Sequence, residues 1–212
     1  MATIVRTSPV RFDERPVEIE ERDGWRVVKS YQNEGDGPHL VDLSHQPRWD
    51  VQDKNVADLA PVEGLTIPPA PGKVVLGNGV LINRMNDTQA AIWHLDGETP
   101  EKPADMPMVT DTTEATLCLG LIGPSVFEIT EKLTNLDLGN PNVNTPRLVQ
   151  GPFSYVPCQI VVFRNINNHD GILFICSRGY GHDMAHVILE AGKEFGLTPA
   201  GEKRFRDWLE SL

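Results

Sequence analysis

The sequence predicts an α+β fold, in which antiparallel sheets carry short helices packed on them. Three observations lead there. ATLCLGLI (Ala115 to Ile122) alternates, with Leu117, Leu119 and Leu121 on one face, which is strand periodicity. Two helical stripes follow near the C-terminus, Met184, Val187, Ile188, Ala191 and Phe195, then Phe205, Trp208, Leu209 and Leu212. The connections from residue 115 onward are short and local, which suits antiparallel strands with helices on one face.

Residues 1–37 form a charged segment broken by Pro and Gly, apart from GWRVVKSY (Gly24 to Tyr31), which reads as a strand. The main domain is expected over residues 38–212, with subdomains of about 38–110 and 111–212. PHLVDLSHQPRWDV (Pro38 to Val51) reads as strand, polar corner, strand. PVEGLTIPPAPGK (Pro61 to Lys73) carries too many prolines for a helix interior and is an extended connector. KVVLGNGVLINRM (Lys73 to Met85) is a hairpin whose turn, Gly77-Asn78-Gly79, can supply positive φ angles. TQAAIWHL (Thr88 to Leu95) is a further strand, and DGETPEKPADMP (Asp96 to Pro107) a loop rich in Pro and acid.

After Ile122 the chain turns at Gly123-Pro124, and Pro124 suits a first helical turn, where its missing N–H costs nothing. Val126, Ile129 and Leu133 then share a helical face, opposite Glu128, Glu131 and Lys132. CQIVVFR (Cys158 to Arg164) and GILFICS (Gly171 to Ser177) are two strands joined by the hairpin-like NINNHD. Gly196 is placed to stop the first C-terminal helix. No repeat and no low-complexity tail interrupts the pattern.

The chain has 212 residues, 40% hydrophobic and 23% charged, the profile of an ordinary globular protein. Its net charge of -11 disfavours nucleic acid and anionic membrane surfaces, since phosphate neutralisation needs clustered Lys and Arg. No run approaches the roughly 18–20 apolar residues of a membrane span, and the first residues lack the apolar core of a secretory signal. Cys118, Cys158 and Cys176 lie in strand-like apolar runs and read as buried thiols, which suits a reducing cytoplasm.

LGLIGPSVFEITEKLTNLDL (Leu119 to Leu138) resembles the strand, GP corner and helix of the glycine-cleavage T-protein (aminomethyltransferase) folate-binding superfamily. LVDLSH (Leu40 to His45) is similar to its G-L-x-D-x-S-H strand. VVFRNINNHDGILFIC (Val161 to Cys176) resembles its Arg, loop, D-G-F-E hairpin, and GLTPAGEKRFRDWLE (Gly196 to Glu210) its G-L-x-P-x-G segment leading into a helix. The fragments fall in the family's order over roughly residues 38–210. At 212 residues the chain is shorter than a full T-protein, and the resemblance is nearest to the gamma subunit of heterotetrameric sarcosine oxidase.

Two departures bear on mechanism. AAIWHLDGETPEKPADMP lacks the family's Asn-rich acidic loop, so neither Asp96 nor Asp105 matches it. Leu173 stands where D-G-F-E has its folate-linked acid, and a leucine cannot accept a hydrogen bond from a pterin. No catalytic residue and no metal ligand is therefore carried over. The resemblance implies a non-catalytic gamma-like subunit of an amine-demethylating complex in one-carbon metabolism, with larger oxidase or demethylase subunits as partners. It places flavin on those partners and tetrahydrofolate at or near the interface with one. The alternatives are a compact tetrahydrofolate-dependent aminomethyltransferase or demethylase, and a stand-alone binding module.

Four residues are the candidate ligand contacts. Arg164 stands at the family's Arg position and could hold a carboxylate. Asp42 and Asp170 are the acids an active enzyme would use, and His45 follows in the stretch that borders the family's ligand cavity. Ser44 and His45 do not make a catalytic pair, because adjacent strand residues point to opposite faces. His182 and His186 share a helical face at i, i+4 spacing, but nothing in the sequence supplies the remaining zinc ligands.

Overall fold

Alternation in the run around Leu119 generates the centre of the molecule. In the computed structural model, which describes residues 5–97, 100, 108–166 and 169–212, this run is β9 (Thr116–Ile122). Leu117, Leu119 and Leu121 enter one core cluster, while Cys118 and Ile122 enter another on the opposite face. A strand apolar on both faces must be covered on both faces.

β9 lies in a six-stranded sheet of order β10 (Arg147–Phe153), β11 (Val156–Ile166), β12 (His169–Ser177), β9, β3 (His39–Asp42), β13 (Thr198–Ala200). All its neighbours pair antiparallel except β13 with β3, which are parallel. One face packs against α1 (Val126–Glu131) and α2 (Gly181–Gly192). The other meets α3 (Glu202–Glu210) and a second sheet of order β5 (Val74–Gly77), β6 (Val80–Asn86), β7 (Gln89–His94), β4 (Arg48–Gln52), β8 (Val109–Asp111). The outer face of that sheet is closed by a third cluster that includes Val56, Val62 and Ile67.

The expected strands at Trp25, His39, Arg48, Lys73–Met85, Thr88, Cys158 and Gly171 are present. Asn78 (φ 49) and Gly79 (φ 71) supply the two positive φ angles of the β5–β6 turn. Gly196, at φ 73, ends the 3-10 turn that follows α2. The loop expected over Asp96 to Pro107 lies largely outside the described residues.

Several elements differ from expectation. β1 (Pro16–Arg22) pairs with β2 (Trp25–Tyr31) inside a stretch whose charge hid it, since its residues stay half-exposed on a two-stranded ribbon. β10 was hidden by Gly151 and Pro152, both of which an edge strand tolerates. Pro124 is not in the first helical turn; it precedes Ser125, the N-cap at φ 56, because the corner at Gly123 (φ 104) is completed by two further turn residues. Ser44 and His45 sit in a turn rather than on a strand, so strand alternation does not govern where they point.

Candidate functional site

Strand β3 ends at Asp42, and the chain reverses through Leu43–Gln46 before entering the other sheet as β4. Such a corner exposes carbonyls that need donors, and buried Arg48 provides them. Its guanidinium donates to the carbonyls of Leu43, Ser44, Gln46, Thr113 and Thr116, and to Thr116 Oγ1. Burial lowers the Arg48 pKa from its ordinary value, a cost offset here by hydrogen bonds to neutral oxygens.

The corner so fixed presents Asp42 and His45 to a cavity of about 490 Å3. The N-terminal segment, including Ser8, Val10 and Phe12, forms one wall, and β2 with Trp25 and Tyr31 another. Asp42 Oδ2 accepts from Ser8 Oγ, and Asp42 Oδ1 from the Ser44 N–H at 2.9 Å. Burial, then the charge of Asp42, pushes the Tyr31 hydroxyl above its ordinary range, so that it stays a neutral donor. A second cavity of about 190 Å3 adjoins, sharing Arg6, Trp25 and His45 as the common wall.

Behind His45 lies Glu202, at the start of α3, with no side-chain exposure. His45 Nε2 lies 3.0 Å from Glu202 Oε1, and Gln46 Nε2 donates to the same oxygen at 3.1 Å. Arg22 donates to both carboxylate oxygens and Lys29 to Oε2. Burial works to raise the Glu202 pKa, but hydrogen bonds from His45, Arg22 and Lys29 outweigh it and hold the carboxyl well below its usual range. This carboxylate orients His45 against the cavity, the way a carboxylate fixes an imidazole in acid–base sites.

Arg164 and Asp170 are elsewhere. Asp170 Oδ1 accepts from the Asn165 N–H at 2.7 Å, and its carbonyl accepts from Trp208 Nε1 and the Gly123 N–H, each at 3.1 Å. The Arg164 guanidinium lies 5.6 Å from the Phe127 ring centroid, and among the described residues it makes no ion pair with Asp170. Register puts Gly171 level with His39, so Asp170 and Asp42 are four levels apart along the sheet, about 13 Å at the rise of a strand. The structure therefore joins Asp42 with His45, and separately Arg164 with the Asp170 turn, without uniting the pairs. His182 and His186 are both exposed on α2, and among the described residues no group of three or more His, Cys, Asp or Glu gathers as a metal site.

Glu202 and Arg48 are the two residues that sequence reasoning missed. Glu202 carried a signal: it precedes Phe205, Trp208 and Leu212 at helical spacing, on the apolar stripe of its own helix. An acid on a buried stripe calls for partners. At Leu173 the fit to a pterin is poor on physical grounds. The side chain has no exposure, faces Gly120 in register, and would crowd a Cβ there at 3.2 Å, leaving neither room nor acceptor.

No family model matches the chain, and neither does any curated protein. Solved structures do. A chain of heterotetrameric sarcosine oxidase from Corynebacterium sp. U-96, in complex with pyrrole 2-carboxylate, aligns with a TM-score of 0.59 at 14% identity, covering 77% of this chain and 88% of that one. Glycine cleavage system aminomethyltransferase T from Bartonella henselae aligns with a TM-score of 0.61 at 15% identity, over 88% of this chain and 56% of that one, so this chain spans about half of that relative. What these likenesses establish is the architecture: the chain has the aminomethyltransferase-like α+β fold common to the T-protein and sarcosine oxidase structures.

Proposed function

We propose that this chain is a non-catalytic, gamma-like subunit of a sarcosine oxidase-type or related amine-demethylating complex in tetrahydrofolate-linked one-carbon metabolism. One observation carries the reading: the match to the sarcosine oxidase chain covers most of both molecules. Packing at Leu173 supports it, because the position of the family's folate-linked acid is filled by core. In this reading the larger partner carries flavin, tetrahydrofolate lies at or near the interface, and the complex is cytoplasmic. The test is an untagged purification from the native source, with native mass measurement and an absorbance scan of the eluate. A larger flavin-bearing subunit in fixed ratio is the expected result. A stable monomer that meets no partner would end the proposal.

A second reading has one observation behind it, the cavity of about 490 Å3 bordered by Asp42 and His45. There the chain would be a compact tetrahydrofolate-dependent aminomethyltransferase or demethylase, its ligand held away from Leu173. Titration of the isolated chain with tetrahydrofolate separates the two. Micromolar binding lost in Asp42→Asn favours the enzyme; no binding favours the subunit.

A further inference from the structure

Strands β11 and β12 run antiparallel with Gln159 facing Ile175, so the next level of the ladder sets Cys158 opposite Cys176. Both thiols enter the same core cluster, which puts them on the same face of the sheet. Directly opposed residues of an antiparallel pair have Cα atoms about 4.5–5.5 Å apart. A cystine spans about 4.4–6.8 Å. Both cysteines are free thiols; that of Cys158 donates to the Val156 carbonyl at 3.3 Å and that of Cys176 to the Ser177 carbonyl at 3.7 Å. Each is 5% exposed, yet Pro157 and Ser177 next to them in the chain are exposed, as is Tyr155 at the nearby turn. The pair thus lies at the end of the β11–β12 ladder, with the sheet's opposite face open to solvent at Pro157 and Ser177. Cys118 faces the opposite core with 0% exposure, and burial pushes its thiol up to about 11.

We propose that Cys158 and Cys176 form a modification site, a thiol pair that a hydroperoxide converts into an intramolecular cystine. The two sulfurs are not equivalent. Proximity to the Cys176 thiol, aided by the Phe153 backbone and opposed by burial, lowers the Cys158 pKa, while the same proximity and burial raise that of Cys176. Cys158 is therefore the attacking thiolate. Its sulfur bonds to one peroxide oxygen as the O–O bond breaks, leaving a sulfenic acid and a hydroxide or alkoxide that takes up a proton. The Cys176 sulfur then bonds to the Cys158 sulfur, the S–O bond breaks, and the hydroxyl departs with the Cys176 proton as water. The two electrons lost by the thiols reduce the peroxide. The bond ties β11 to β12 where β12 passes into the turn at Arg178–Tyr180 and α2. It requires no partner chain, so it stands or falls independently of the proposed function.

The test uses the full chain, reduced, desalted and treated with hydrogen peroxide. The expected result is a mass loss of about 2 Da, a peptide linking Cys158 to Cys176, and one remaining thiol at Cys118. Cys118→Ser should form the same link, and Cys176→Ser should stop at a Cys158 sulfenic acid that dimedone traps. Three titratable thiols after treatment would overturn the proposal. So would oxidation of Cys118 at a comparable rate, or formation of the link just as fast in urea-unfolded chain, where the ladder no longer sets the sulfurs together.

Discussion

Glu202 Oε1 accepts a hydrogen bond from Arg22 Nη1 at 2.7 Å, across a sequence separation of 180 residues. Lys29, His45 and Gln46 converge on the same carboxylate, so the N-terminal hairpin, the β3–β4 corner and the last helix meet at one buried group. A carboxylate taken from water costs several kcal/mol unless every lone pair finds a donor. The hairpin and α3 also meet through Lys203 with Glu18 and Arg204 with Glu34, but Glu202 is the acceptor with no exposure.

Removing that acceptor should therefore hurt more than an ordinary surface ion pair. Glu202→Ala leaves Arg22 and Lys29, whose side chains keep only 18% and 12% exposure, with half-exposed Glu20 as their remaining acid, and is expected to cost roughly 3 kcal/mol. Glu202→Gln retains the shape and part of the hydrogen bonding and should cost about half as much. Urea titration checks this; a shift of less than about 1 kcal/mol in Glu202→Ala would show that the charges gain little from convergence.

Acid should destabilise the chain in two stages. Burial lowers the His94 pKa from 6.5 to about 4, so the unfolded state binds more protons than the folded one between those values. Stability accordingly falls as pH drops from 6.5 towards 4, by up to ~3 kcal/mol at 1.36 kcal/mol per unit. Glu202 acts in a lower window. Its folded pKa is depressed, so its contribution is intact above the ordinary carboxylate value of 4.5 and is lost as pH falls further. Unfolding midpoints measured across pH should show His94→Gln flattening the first stage and Glu202→Gln the second.

Legibility in the sequence followed local physics. Leu117, Leu119 and Leu121 announced the central strand because both of its faces are buried and its period is unbroken. Asn78-Gly79 announced its hairpin because few residue pairs adopt two positive φ angles cheaply. β1 gave no such signal: Val17 is 66% exposed and Ile19 40%, so its apolar positions serve no continuous core. At the site, Asp42 and His45 stood out because they are near in sequence and one turn sets them both. Their link to Glu202 lies 157 residues from His45 and depends on how α3 docks, which no local pattern encodes.

Leu173 offers a sharp test of the core. Together with Leu43 and Phe205 it closes the space over Gly120, and it has no exposed surface. Leu173→Glu should place an unpaired carboxyl in that core and cost at least ~3 kcal/mol. Leu173→Met should cost less than ~1.5 kcal/mol. If the Glu variant instead unfolds at the wild-type urea midpoint, the position is not packed in solution and a ligand site there becomes tenable.

The last prediction concerns the wall of the cavity. Ser8 Oγ donates to Asp42 and accepts from the Val10 N–H at 3.0 Å, while Val10 is buried and Phe12 meets Tyr31 edge-on at 5.8 Å. Ser8, Val10 and Phe12 therefore anchor the segment over the cavity, beyond a polar tether in which Arg6 meets Gly24 and Glu114 and the Thr7 carbonyl accepts from Arg178. Asp42→Ala removes one hydrogen-bonded anchor, worth about 1 kcal/mol, so local opening should rise about fivefold while the global urea midpoint moves little. Arg11 is exposed in this segment, whereas Arg15 precedes Pro16 and resists trypsin, so limited digestion at Arg11 reads the opening. Ser8→Ala should raise cleavage similarly, and the double variant should fall short of the sum of the two, because the Ser8–Asp42 bond is common to both, while Asp42 alone holds the Ser44 N–H and Ser8 alone the Val10 N–H. Additive effects would mean that Asp42 and Ser8 hold the segment through separate contacts.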